Sequence, residues 1–179
     1  MRVISGTQKG RRLSSLPSND VRPTTDKVKE AIFSSIQFDI EGRRFLDLFA
    51  GSGQIGIEAL SRGAKSAVFV DASKDSIKVI KENISSCKFE EYSKVVFSDA
   101  LSFLSNTKET FDIVFLDPPY AANYLNKALL LVVNKMSDFG IIICEHPTDL
   151  DLPENIEDFV VFKRYRYGKI SVTTFKKEF

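Results

Sequence analysis

From residue 44 onward, short apolar runs alternate with amphipathic stretches along this chain. The runs are rich in Val, Ile, Leu and Phe and are too short for most helices, which is typical of buried strands. Strands are predicted over residues 45–49, 67–71, 95–97, 111–116 and 141–144. Helices are predicted between them, over residues 55–60, 73–86, 101–104 and 123–135, where apolar residues recur at helical spacing. This alternation predicts βαβ units and a mainly parallel sheet.

The two ends of the chain depart from that pattern. The first 23 residues contain Gly, Ser, Pro and basic residues, and we expect a basic N-terminal arm with a short strand at Val3-Ile4. A capping sequence, Thr24-Thr25-Asp26, then predicts the start of a helix. Residues 159–162 and 170–175 read as an antiparallel hairpin. We therefore expect one α/β domain over residues 1–179 with a seven-stranded sheet.

Composition agrees with a soluble domain of this kind. The chain has 179 residues, of which 43% are hydrophobic and 27% charged. No apolar run approaches the ~20 residues needed to span a membrane, and no apolar signal core follows Arg2. We expect Cys87 and Cys144 to be free thiols, which favours a reducing cytoplasm. With one histidine and no Cys-x-x-Cys pattern, no metal site is expected.

Charge is distributed unevenly although the net charge is only +1. Residues 1–30 hold seven Lys and Arg against three Asp and Glu, a net +4. Residues 159–179 hold six against one, a net +5, so the middle of the chain carries −8. Two basic ends are consistent with a polyanion on one side of the molecule, and equally with ordinary solvated surface charge.

A glycine-rich turn follows the first predicted strand. Gly51-Ser52-Gly53-Gln54-Ile55-Gly56 satisfies G-x-G-x-x-G, and Asp71 ends the next strand 20 residues after Gly51. Glycines let a ligand approach the backbone, and an acid at the second strand end can bind ribose hydroxyls. Asp47 near the first strand end disfavours a diphosphate and is compatible with a ligand that carries an ammonium group.

A second motif, Asp117-Pro118-Pro119-Tyr120, follows the fourth predicted strand. Ligands of open α/β sheets bind outside the carboxyl ends of the strands. Asp117 and the Pro118 carbonyl can accept two hydrogen bonds from an exocyclic amine, while Tyr120 stacks on the ring that bears it. The alternative is a plain Pro-Pro turn.

These motifs together resemble a known family. Asp47-Leu48-Phe49-Ala50-Gly51-Ser52-Gly53 is similar to the first motif of S-adenosylmethionine-dependent methyltransferases, and Asp117-Pro118-Pro119-Tyr120 to their amino-methyltransferase motif. Lys9-Gly10-Arg11-Arg12-Leu13 and Arg22-Pro23-Thr24-Thr25-Asp26 further resemble the RsmD family, which methylates the N2 amine of one guanine in 16S ribosomal RNA. The resemblance implies a Rossmann-like methyltransferase fold with helices on both faces of the sheet.

The resemblance also implies roles for individual residues. Asp117, Pro118 and Tyr120 would be catalytic. The residues implied to bind S-adenosylmethionine are Asp47, Gly51 and Gly53 at its methionine part, Asp71 at the ribose, and Asp99 and Ala100 at the adenine. For Asp99, a helix cap is the alternative.

Basic residues at both ends would contact the RNA. They are Lys9, Arg11, Arg12 and Arg22 near the N-terminus and Lys163, Arg164 and Arg166 in the hairpin. The alternative role for Arg22 is to shape the cofactor pocket. The expected partner is 16S ribosomal RNA or a small-subunit assembly particle, bound by a monomer.

Other functions remain open at this point. The same four-residue motif serves adenine-N6 and cytosine-N4 DNA methyltransferases and protein-glutamine methyltransferases. A NAD-dependent oxidoreductase or a non-catalytic nucleotide-binding module is a further alternative, which Asp47 and the motif at Asp117 disfavour.

Overall fold

The computed structural model describes residues 1–17, 23–119 and 122–178. The helices are α1 (Asp26–Ser35), α2 (Gln54–Ser61), α3 (Lys74–Ser86), α4 (Ala100–Asn106) and α5 (Ala122–Val132). The strands are β1 (Arg44–Leu48), β2 (Ser66–Asp71), β3 (Ser93–Phe97), β4 (Phe111–Leu116), β5 (Met136–Pro147), β6 (Asn155–Ile156), β7 (Phe159–Tyr167) and β8 (Ile170–Lys177). Short 3-10 turns at Glu90–Tyr92 and Val133–Lys135 precede β3 and β5.

All these strands form one sheet in the order β3-β2-β1-β4-β5-β8-β7-β6. The first five strands in this order are parallel to one another, whereas β8 pairs antiparallel with β5 and with β7. The mainly parallel sheet and the C-terminal hairpin are therefore confirmed. The expected number of seven strands was wrong by one, because β6 is a two-residue strand paired with β7 and is too short to show any periodicity.

Alternate residues of the central strands contact opposite faces of the sheet. Phe45 and Phe69 pack on the face covered by α1, α2 and α3, whereas Leu46 and Val70 pack on the face covered by α4 and α5. This confirms helices on both faces. Both faces of the central strands are buried, which explains why their sequences are continuous apolar runs.

The N-terminal segment is a hairpin that packs on the face of the sheet covered by α1, α2 and α3. Val3 and Leu13 are buried in the core. The Val3 amide donates to the Arg11 carbonyl at 2.9 Å, and only an isolated antiparallel bridge between Arg2 and Arg12 stands where a strand was expected. We call residues 1–17 the arm hairpin. Residues 18–22 of the predicted arm lie outside the described residues.

Three expectations from composition concern the cysteines, membrane-spanning helices and metal ligands. Cys87 and Cys144 are free and buried, as expected. Among the described residues, no helix is long and apolar enough to cross a membrane. Nor do three or more His, Cys, Asp or Glu side chains within the described ranges form a group suited to a metal ion.

Gly56 allows α2 to lie close to β2, and this contact generates a stability prediction. A Cβ atom at position 56 would lie 2.4 Å from Cε1 of the fully buried Phe69 ring. Overpacking costs about 1–3 kcal/mol and outweighs the gain of about 1 kcal/mol in helix propensity. We therefore expect Gly56→Ala to lower the free energy of unfolding by up to about 2 kcal/mol in urea denaturation.

The matched control is Phe69→Leu, alone and combined with Gly56→Ala. The smaller side chain leaves room for the new methyl group, so the double variant should lose less stability than the sum of the two single variants. Strictly additive losses, or an unchanged urea midpoint for Gly56→Ala, would show that the contact is not limiting.

Candidate functional site

The site lies where the strand order reverses. β1 has β2 on one side and β4 on the other, so the chain leaves their carboxyl ends in opposite directions and opens a crevice between them. The glycine turn follows β1, Asp71 ends β2, and Asp117 follows β4. The two sequence motifs therefore meet at one edge of the sheet.

The last residue of the neighbouring strand β2 holds the glycine turn in place. The Gly51 amide donates to Asp71 Oδ2 at 2.9 Å, and Asp71 Oδ1 accepts from the Ser73 amide at 2.9 Å. Gly51 and Gly53 have φ of 58° and 81°, values that favour glycine. A Cβ atom at Gly51 would meet nothing within 4 Å, so the backbone there is open to a ligand. Each Asp71 oxygen keeps a second lone pair for a hydroxyl.

Asp47 lies under the same turn. It is buried, and its Oδ2 accepts from the Gly56 amide at 2.9 Å, which ties the end of β1 to the first turn of α2. Burial raises the pKa of Asp47 to about 8, although the Gly56 hydrogen bond opposes this shift. An ammonium group brought near this carboxyl would favour its ionised form.

Asp117 and Pro118 are half-buried at the end of β4, and Pro119 is exposed. Burial, followed by the charges of Glu145 and Asp47, raises the pKa of the Asp117 carboxyl well above its usual range. A titratable group perturbed in this way, at a strand end facing a crevice, is typical of a functional site. Tyr120, the fourth residue of the motif, lies outside the described residues.

Asp99 has the capping role that was the alternative for its position, and its other oxygen bonds a neighbouring side chain. It caps α4, because its Oδ2 accepts from the Ser102 amide at 3.0 Å. Its Oδ1 accepts from the Tyr124 hydroxyl, and that ring packs edge-on against Phe49 at 5.6 Å between centroids. Asp99 is exposed beside these two rings, while Ala100 is buried in the first turn of α4.

The sequence reasoning missed Glu145. This residue follows the apolar part of β5 as Asp117 follows β4, and an acid at that point of a buried strand was the available signal. Its carboxylate is buried, and Oε2 accepts from the Thr24 hydroxyl at 2.8 Å. The adjacent His146 is structural, since its ring nitrogens contact the Pro147 carbonyl and the Thr173 hydroxyl.

The basic residues separate into two groups. Lys9, Arg11 and Arg12 are exposed and line one open groove of about 640 Å³ on the arm hairpin. In the C-terminal hairpin, Arg164 pairs with Glu154 at 2.7 Å, and Arg166 donates to the Gly168 carbonyl. Lys163, the third basic residue predicted to contact RNA there, lies 5.5 Å from the centroid of the Phe162 ring. Arg22 lies outside the described residues.

Known proteins resemble this chain over nearly its whole length. The protein YlbH of Bacillus subtilis is 42% identical, with 99% of each chain covered. "Ribosomal RNA small subunit methyltransferase D" of Haemophilus influenzae is 38% identical over 87% of this chain and 84% of its own. The solved structure of the yhhF protein of Escherichia coli superposes with a TM-score of 0.90 at 29% identity, covering 99% of this chain and 98% of the other.

One family model matches almost all the elements described above, and this match identifies the family of the chain. The model of a family described as "Conserved hypothetical protein 95" matches residues 1–176. That range includes the arm hairpin, the glycine turn, the strand end at Asp117 and the C-terminal hairpin. The chain therefore belongs to this family, the RsmD family that its motifs resemble.

Proposed function

We propose that this protein transfers a methyl group from S-adenosylmethionine to ribosomal RNA, and that the acceptor is the exocyclic N2 amine of one guanine in 16S ribosomal RNA. The proposal rests on one observation: the glycine turn after β1 and Asp117-Pro118 after β4 lie at the same edge of the sheet. Relatives from Haemophilus influenzae and Escherichia coli named "Ribosomal RNA small subunit methyltransferase D" support the reaction class.

The residues at the crevice suit S-adenosylmethionine. Open space in front of Gly51 admits its methionine part, and Asp47 lies under the same turn as a carboxyl partner for the amino group. Asp71 has lone pairs left for the ribose hydroxyls, and the exposed Asp99 can accept from the adenine amine. When bound, this cofactor supplies an electrophilic methyl carbon.

The acceptor amine needs help because its lone pair is delocalised into the ring. Hydrogen bonds from the amine to the Asp117 carboxylate and the Pro118 carbonyl favour a tetrahedral nitrogen and direct its lone pair toward the methyl group. Pro118 has no amide hydrogen and a fixed φ, so its carbonyl direction is preset. Most of the rate enhancement then comes from positioning and electrostatic stabilisation.

Proton release completes the reaction. The nitrogen would gain a positive charge as the N–C bond forms and the methyl–sulfur bond breaks, with a neutral thioether as the leaving group. One of the protons on the nitrogen would then leave to water or to the Asp117 carboxylate. The raised pKa of Asp117 suits it to hold that proton for a time. No covalent link between protein and RNA is needed, and both cysteines are buried.

The arm hairpin provides the RNA contact in this proposal. Lys9, Arg11 and Arg12 are exposed around one groove, where they can contact successive phosphates. The target guanine must leave its stack to reach Asp117, as enzymes that act on a base require. We assign the protein to the cytoplasm as a single-domain monomer that acts on 16S ribosomal RNA or on a small-subunit particle.

The choice of guanine over adenine and cytosine rests on the family rather than on the geometry. All three bases carry an exocyclic amine that the Asp117 and Pro118 acceptors can bind. Methyl transfer to small ribosomal subunits that lack the modification, followed by nuclease digestion and mass spectrometry, identifies the methylated base directly. N2-methylguanine supports the proposal, and a methylated adenine or cytosine would replace it.

Asp117→Ala should nearly abolish methyl transfer while leaving the cofactor site intact. Loss of a transition-state hydrogen-bond acceptor should lower the single-turnover rate at least about a hundredfold. Binding of S-adenosylmethionine, measured by calorimetry, should change by less than about twofold, because Asp117 contacts the acceptor. Asp151→Asn, an exposed acid in the loop after β5, is the control. Full turnover by Asp117→Ala would remove this residue from the mechanism.

Asp71→Ala should weaken cofactor binding instead. The variant loses both the ribose contact and the hydrogen bond that holds the Gly51 amide. Since a hydrogen bond to a charged group contributes about 1.5–3 kcal/mol, we expect Kd for S-adenosylmethionine to rise at least about tenfold. Calorimetry with NAD in parallel checks the cofactor class. An undiminished affinity in the variant, or binding of NAD alone, would contradict the assignment.

Replacing Arg11 and Arg12 by Gln should weaken RNA binding without affecting the cofactor. Each lost phosphate contact lowers the slope of log K against log salt by about one, and KM for the RNA should rise. Lys108→Gln is the control, because this exposed lysine follows α4, which packs on the other face of the sheet from the arm hairpin. If the double variant keeps the wild-type KM and salt slope, the arm hairpin does not contact the RNA.

A further inference from the structure

A hydrogen bond joins the start of α1 to the end of β5. The Thr24 hydroxyl donates to Glu145 Oε2 at 2.8 Å, across 121 residues of sequence. Thr24 immediately precedes Thr25, the residue that caps α1, and its carbonyl accepts from Gln54 Nε2 at 3.4 Å. Thr24 is therefore held on both its backbone and its side chain.

Register places Glu145 beside Asp117. In the parallel pair of β4 and β5, Leu116 is opposite Cys144, so the next residues of the two strands are Asp117 and Glu145. Side chains alternate between the two faces of the sheet along each strand. This alternation puts the side chains of Asp117 and Glu145 on the face covered by α1, α2 and α3. Glu145 is only 8% exposed, so its carboxylate is directed into the protein.

The same network continues into the arm hairpin. Fully buried Lys29 of α1 donates to Gln54 Oε1 at 3.2 Å and to the Arg2 carbonyl at 2.7 Å. Glu58 of α2, also fully buried, accepts from the Ile4 and Ser5 amides at 2.9 and 3.0 Å. Polar contacts thus run without a break from the hairpin that bears Arg11 and Arg12, through Gln54 and Thr24, to Glu145.

We infer that Glu145 is a positioning residue for methyl transfer. Held by the Thr24 hydroxyl, Glu145 orients the neighbouring Asp117. It also links the arm hairpin to the strand end that binds the base. This inference rests on the proposed function, because it requires Asp117 to accept hydrogen bonds from the target amine. In some proteins, buried polar groups that cost stability fix a geometry or a charge state, and this position beside the reacting group allows both.

The groups that face Asp117 decide how its charge responds. Glu145 of β5 and Asp47 of β1 are the carboxylates that act on it, and both disfavour its ionisation. The buried cation of the network, Lys29, is bonded to Gln54 and to the Arg2 carbonyl. Removing the charge of Glu145 should therefore lower the pKa of Asp117.

Glu145→Gln separates charge from shape. The amide oxygen can still accept from Thr24, whereas the negative charge beside Asp117 is gone. With small ribosomal subunits and S-adenosylmethionine, we expect the acid limb of the single-turnover rate to move to lower pH by about one unit. A merely structural residue would change the height of this profile without moving it, so an unmoved acid limb overturns the inference.

Thr24→Val tests the tether while the charge of Glu145 is kept. The single-turnover rate at saturating RNA should fall about tenfold, as for loss of one hydrogen bond to a charged group. KM for the RNA and Kd for the cofactor should each stay within about twofold. Thr24→Ser keeps the hydroxyl and should restore the rate. The matched control is Thr174→Val, a buried threonine of β8 whose hydroxyl donates to the Lys163 carbonyl.

The outcomes distinguish this inference from the function on which it rests. If the wild-type protein methylates no RNA, the proposed function fails. If Asp117→Ala keeps full activity, Asp117 leaves the mechanism and the role of Glu145 fails with it. If Asp117→Ala is inactive while Thr24→Val matches Thr174→Val in rate and Glu145→Gln keeps the wild-type pH profile, only the role of Glu145 fails. Should Thr24→Val not fold, the pH profile of Glu145→Gln decides the matter alone.

Discussion

The site depends on the parallel register of three adjacent strands. β1, β4 and β5 lie side by side, with Asp47 opposite Phe115 and Leu116 opposite Cys144. Because side chains alternate along a strand, this register puts carboxyls from all three strands on one face, close to the carboxyl edge of the sheet. A one-residue slip of β4 would turn Asp117 to the opposite face and separate the two motifs.

Hydrogen bonds from backbone amides and a hydroxyl hold Asp47, Asp71 and Glu145 in place. Gly56 donates to Asp47, Gly51 to Asp71, and Thr24 to Glu145. The partners come from two loops and a helix, so each acid also fixes the element that it touches. Burying carboxyls near one another costs stability, and the raised pKa values of Asp47 and Asp117 reflect this cost. In our account, the same environment prepares the site for a cationic cofactor and a neutral amine.

Much of the fold could be predicted from hydrophobic periodicity, and less of the site could. The long apolar runs and the glycine turn located β1, β2 and β4 nearly to the residue, because strands buried on both faces are distinctive in sequence. β6 and the packing of the arm hairpin were not predictable in this way. Glu58 and Ser61 hold that hairpin through contacts more than 50 residues apart, and Thr24 and Glu145 are 121 residues apart. Single-sequence patterns carry no signal for such long-range polar pairs.

Mass mapping of 16S ribosomal RNA from cells that lack this protein is the most direct measurement of its activity. Our account predicts that one N2-methylguanine is lost and that expression of the wild-type protein restores it, while every other modification is unchanged. An unaltered set of guanine modifications, or the loss of a methyl group from adenine or cytosine, would contradict the account.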